Sequence, residues 1–170
     1  MGRWIGITVS IFFTVGGLFL SLFLSLLINF EISISNSNCV ISLYKWLDMG
    51  YFVIDISFLF DTLTSVMLFV VCLISSLVHL YSVEYMGYDI GFIRYMSYLS
   101  LFTFFMLLLV TADNFLQMFI GWEGVGLSSY LLISFWYTRF LANKAAIKAM
   151  LVNRVGDLSL LVGISILVFF

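Results

Sequence analysis

Phe115 to Tyr137 reads FLQMFIGWEGVGLSSYLLISFWY and holds one charged side chain, Glu123. With a rise of ~1.5 Å per residue, such a helix is long enough to cross a hydrocarbon core of roughly 30 Å. Glu123 then lies about 12 Å in from the Phe115 end, near the bilayer centre. A charge there costs on the order of 2.5 to 3.5 kcal/mol, so an intramembrane Glu is a candidate functional site. Gly121, Gly124 and Gly126, followed by Ser128 and Ser129, strip bulk from the helix around the carboxylate. A second helix, a basic partner or a water file then has room to approach. The competing reading is a Gly-rich packing seam with a protonated Glu hydrogen-bonded to a neighbour.

The rest of the chain sets the class. Hydrophobic residues make up 64% and charged ones 9%, too little polar surface to cover a water-soluble domain. The expectation is an all-α membrane protein of about five transmembrane helices. A formal charge of −2 says little, because the distribution of Lys and Arg carries the topological information. No basic patch points to nucleic acid. Cys39 and Cys72 are far apart in different kinds of segment, so neither a disulfide framework nor a metal-ligand spacing is present. Met1 to Arg3 lead directly into a span too long for a signal h-region, so no cleavable presequence is expected. There is no Pro among the 170 residues, for which we have no physical account.

In chain order, the expected spans are residues 5–29, 57–81, 95–112, 115–137 and 144–170. Residues 30–56 form a connector in which ISISNSNCVISLYKWLDMGYFVIDIS alternates around Asn36, Asn38 and Gly50. That pattern predicts short strands or a hairpin outside the hydrocarbon, since non-helical backbone must leave the lipid core. The second span holds His79 near its far boundary. The expectation is an interfacial His, with a relay role open if water reaches it. Glu84, Asp89 and Arg94 read as a solvated turn. Tyr95 to Tyr137 would measure about 65 Å as one helix, twice the bilayer, so it must break at Thr111-Ala112-Asp113-Asn114. Asp113 and Asn114 suit the turn and the N-cap of the next helix.

Five spans place Arg3, Arg94, Arg139, Lys144 and Lys148 on one side and only Lys45 on the other. The positive-inside rule then puts the N-terminus on the matrix side, or the cytoplasmic side in a bacterium. The last span carries a second cluster of charge. Arg154 and Asp157 are three apart, within pairing reach, and too deep to snorkel comfortably. Pairing with each other is the cheapest way to keep both charged. Lys148, about one turn inside the span, either snorkels to the surface or reaches toward Glu123. An acid whose charge state responds to a nearby movable cation is the physical element of a proton pump. A scaffold in which Glu123 has a fixed partner and never titrates is the alternative.

The run DNFLQMFIGWEGVGLSSYLLISFWYTR, followed by ANKAAIKAMLVNRVGD, resembles the subunit-5 family of respiratory complex I, the proton-pumping NADH:ubiquinone oxidoreductase, in its mitochondrial form. The resemblance is close from about Phe60 to Ile164 and weak before that. It implies an antiporter-like helix bundle in the mitochondrial inner membrane that takes part in proton translocation, with Glu123, Arg154 and Asp157 as channel residues. It also implies that NADH, FMN, iron-sulfur clusters and ubiquinone sit in other subunits, with no cofactor or metal in this chain. In the family the carboxylate matching Glu123 pairs with a lysine on a later helix. That lysine, a central Lys and His relay and a short first helix are not found here, so a fragment or a split-gene product is expected. Its partners would be other complex I membrane subunits, a separate chain carrying the remaining helices, and membrane lipids. A subunit of a Mrp-type cation/proton antiporter, which shares this ancestry, is the other transporter reading.

Overall fold

The structure, a computed structural model, describes residues 6–35, 37–48, 50 and 53–169. Met1, Arg3, Ile5, Asn36 and Phe170, named above, lie outside the described residues. The elements in order are α1 (Ile7–Ser35), β1 (Cys39–Asp48), β2 (Val53–Phe60), α2 (Thr62–Tyr85), α3 (Phe92–Val110), α4 (Phe115–Ile133) and α5 (Phe140–Phe169). This is an all-α membrane protein with one two-stranded sheet. α1, α2, α3 and α5 are each long and apolar enough to cross a membrane. α4 is not among those four. It matches α3 in its 19 residues, and it carries Gln117, Glu123 and three glycines.

The distribution of side chains is the reverse of a water-soluble protein. Phe12, Phe13, Phe30, Leu63, Leu141 and Val155 point outward, whereas Ser25, Ser65, Ser75, Ser76, Thr103 and Ser128 are buried. Small residues at helix contacts let backbones approach closely where lipid removes any hydrophobic drive for association. Their hydroxyls are satisfied within their own helices. Ser65 Oγ donates to Thr62 O at 2.9 Å, Ser76 Oγ to Leu73 O at 2.8 Å and Ser128 Oγ to Gly124 O at 2.9 Å.

α1 packs on α2, α3 on α4, and α4 on α5, with a smaller contact between α2 and α3. A cluster of Met86, Phe92, Met96 and Phe135 joins the α2–α3 turn to the α4–α5 turn, and Ile11 and Val15 of α1 close over it. Arg94 belongs to this region. It was expected in a solvated loop, but it sits in the first turn of α3 with its guanidinium 5.1 Å from the Phe135 ring centre and 5.5 Å from that of Tyr137. Cation–π attraction to two rings fixes it there.

The alternating connector forms the antiparallel pair β1–β2, with Gly50 at φ +80° in its turn, a conformation open to Gly. β1 is exposed along most of its length, while β2 buries Ile54 and Ser57. β2 docks on the break between α3 and α4. Leu59 N–H donates to Thr111 O at 3.0 Å, Ser57 Oγ to Asp113 Oδ2 at 2.7 Å, Ser57 N–H to Gln117 Oε1 at 3.2 Å and Asn114 Nδ2 to Asp55 O at 2.7 Å. Asn114 thus occupies the N-cap position of α4 without making the capping bond, because its amide is turned to the hairpin.

Several helix ends differ from those read in the sequence. α1 continues to Ser35 and takes up the first residues assigned to the connector. α2 starts at Thr62 because residues 57–60 are committed to β2, and Thr64 Oγ1 accepts the Asp61 N–H at 2.6 Å at that start. α4 ends at Ile133, where Ser134 N–H donates to Tyr130 O at 2.9 Å and the chain turns into α5 at Phe140.

Candidate functional site

α4 and α5 are consecutive, so Glu123 on the first and Arg154 on the second come to the same depth. Arg154 Nη1 donates to Glu123 Oε1 at 2.6 Å, and this is the ion pair among the described residues. The pairing of Arg154 with Asp157 read from their spacing is therefore corrected. Asp157 turns to α4 instead, where its Oδ1 accepts the indole N–H of Trp122 at 3.0 Å. Trp122 and Glu123 are adjacent on α4, and Arg154 and Asp157 are nearly one turn apart on α5. The two helices are joined at this level by two polar contacts.

Burial differs between them. Asp157 is 7% exposed, while the side chains of Arg154 and Glu123 are 55% and 44% exposed. Between the helices lies a cleft of about 60 Å³ lined by Glu123, Gly126, Tyr130, Asn153, Arg154 and Asp157, room for a few water molecules.

The three glycines divide in two groups. A Cβ at Gly121 would lie 2.8 Å from the backbone of Leu109, and one at Gly124 would collide with the Phe105 ring, so both are contacts between α4 and α3. The seam reading holds for these two. Gly126 faces the cleft, 3.5 Å from Asn153 Nδ2 by the same measure.

The structure does not bring His79 or Lys148 to this site. His79 is fully buried in α2, which runs on to Tyr85. Its Nδ1 lies 2.8 Å from Ser75 O, and its Nε2 has no hydrogen-bond partner among the described residues. Neither residue lines the Glu123 cleft, and Lys148 is exposed. No group of three His, Cys, Asp or Glu among the described residues is placed to hold a metal ion. Trp122 was missed from the sequence. The signal was available for Trp122, a donor-only indole at membrane depth that needs an acceptor.

Comparison with known proteins fits this geometry. Residues 46–96 match the family described as NADH-Ubiquinone oxidoreductase (complex I), chain 5 N-terminus, and residues 112–170 match NADH:quinone oxidoreductase/Mrp antiporter, TM. The NADH-ubiquinone oxidoreductase chain 5 of Chondrus crispus is 56% identical over 163 residues, covering 96% of this chain and 24% of that protein. The chain belongs to the chain 5 family of complex I. The chain 5 proteins of Acanthamoeba castellanii and Metridium senile are 51% and 59% identical over 170 and 157 residues, covering 100% and 92% of this chain. This chain spans about a quarter of the length of these chain 5 relatives. The antiporter match takes in α4 and α5 with Glu123, Arg154 and Asp157, and the chain 5 N-terminal match takes in β2 and α2 with His79.

Proposed function

We propose that the chain is part of the proton-translocating membrane arm of complex I in the mitochondrial inner membrane, where it supplies the carboxylate of a proton half-channel. The observation that carries this reading is the Glu123–Arg154 pair at membrane depth beside a cleft with room for water. α4 crosses the bilayer as the fourth of five spans, and the N-terminus faces the matrix. Glu123 takes and releases the proton. Arg154 is the cation whose approach favours the ionised form and whose withdrawal favours the neutral one. Asp157 and the cleft residues keep the path polar, and Lys148 and His79 serve as relay groups beyond it.

The exposure of the pair supports a wider assembly, since lipid is a poor neighbour for two charges. Its neighbours are other membrane subunits of complex I and the helices that make up the rest of chain 5. NADH, FMN, iron-sulfur clusters and ubiquinone belong to other subunits. The Mrp-type reading has support in the description of the antiporter family itself, and copurification with redox subunits separates the two.

Glu123→Gln tests the role of the carboxylate. The shape is kept, and Arg154 still has Asp157 within reach on its own helix, so assembly is expected to stay near normal. Pumping coupled to NADH oxidation is expected to fall about tenfold or more. Normal pumping in the assembled variant would favour a purely structural Glu123.

A further inference from the structure

α4 and its C-cap carry Glu123, Gly126, Tyr130 and Ser134 at intervals of three or four residues, so these follow one another down a single face of the helix. Two cavities open along that face. The cleft beside Glu123 is lined by Gly126 and Tyr130, and a larger cavity of about 450 Å³ is lined by Arg94, Tyr98, Tyr130, Ser134 and Asn143. Tyr130 is common to both. The larger cavity lies where α3 begins and α4 ends, the end of the bundle that faces the matrix in the proposed orientation. Tyr130 follows Glu123 by seven residues, about 10 Å along the axis, and a long side chain on a helix leans back toward the N-terminus, here toward Glu123. The hydroxyls of Ser128 and Ser129, on the same helix, are tied to its own carbonyls. Those of Tyr130 and Ser134 bond no protein group among the described residues, which leaves them to water.

We propose that the cavity beside Arg94 is the matrix-side mouth of the path to Glu123, and that the Tyr130 hydroxyl passes the proton from one cavity to the other. A phenol both donates and accepts, as a relay must. A protonated water on the cavity side gives a proton to the phenol oxygen while the phenol O–H proton leaves to a water of the cleft, and from there to the Glu123 carboxylate. The hydroxyl ends as it began, and no charge stays on the ring. Arg94 is always charged, so it holds water at the mouth but cannot carry the proton itself. This rests on the reading of Glu123 as the proton-carrying group and names the side and the residue through which it is loaded. It is independent of which cation faces Glu123 in the assembled complex.

The test uses the assembled complex in inside-out inner-membrane particles, whose matrix face meets the medium. Tyr130→Phe keeps the ring and removes the relay oxygen. NADH-driven proton uptake is expected to fall about tenfold, less than the roughly hundredfold typical of a positioned proton-transfer group because water replaces part of the path. On a Glu123→Gln background the same change is expected to add nothing, because the two groups act in series. Tyr81→Phe, at an exposed tyrosine of α2, is expected to stay within about twofold of the parent. The mouth is tested apart from the proton. Ser134→Cys is expected to react with a charged, membrane-impermeant methanethiosulfonate in these particles and not in right-side-out mitoplasts, read by mass spectrometry at residue 134. Normal uptake in an assembled Tyr130→Phe variant, an equal loss with and without Glu123, or a Ser134→Cys thiol closed to the reagent from the matrix side overturns the proposal. If Tyr130→Phe does not assemble, the labelling of Ser134→Cys decides. Normal pumping in Glu123→Gln would sink the proton role itself, a result distinct from normal pumping in Tyr130→Phe alone.

Discussion

Arg154→Gln is expected to abolish most coupled proton pumping, by at least about tenfold, while leaving the complex assembled. The asymmetry between an acid and a guanidinium gives this outcome. An arginine cannot shed its charge, whereas a carboxyl left without a cation in apolar surroundings becomes neutral. Removing Arg154 therefore leaves Glu123 and Asp157 able to protonate, at little cost to the fold. On the proposed function, what is lost is the cation whose withdrawal and return drive proton uptake and release at Glu123. Arg154→Lys, which keeps a point charge but loses the planar fork, is expected to restore pumping in part. Proton uptake by vesicles and native-gel yield measure the two properties separately. Wild-type pumping in an assembled Arg154→Gln variant would remove the pair from the mechanism.

The second large effect concerns the contact of α3 with α4. Gly121→Val is expected to reduce assembled protein at least about fivefold, because the first added carbon already meets Leu109 backbone at 2.8 Å and a backbone has no rotamer to move to. Overpacking of this kind costs about 1 to 3 kcal/mol, and here the two helices must separate to relieve it. Gly163→Val is the control, since nothing lies within 4 Å of a Cβ at Gly163. Its effect is expected to be within about 0.5 kcal/mol. Native-gel yield of the two variants side by side checks the contrast, and equal yields would show that the seam is loose.

Much of this architecture was legible in the chain because it follows from length and period. The bilayer forces a break in Tyr95 to Tyr137, and the only polar residues available put it where α3 ends and α4 begins. Alternation in the connector marked the hairpin. The strand then extended to Phe60 because its backbone meets Thr111, a partner more than fifty residues away that no local pattern announces. The polar contacts were less legible for a similar reason. Spacing says which side chains are within reach, so Arg154 with Asp157 was a sound local reading. The choice between two acceptors was made by the facing helix, through Trp122 and Glu123. The burial of His79 was not legible either, since it is set by the helices packed against α2 and not by its place near a helix end.

Because Glu123 finds its counter-ion on the very next helix, its charge on α4 is compensated as soon as α5 leaves the ribosome. The two are expected to enter the bilayer as one hairpin, where α1, with no charged residue between Ile7 and Phe30, enters alone. Glycosylation mapping of α4 alone against α4 followed by α5 reads the difference, with the shorter piece inserting poorly. The pair proposed to carry protons would then also let its two helices enter lipid together.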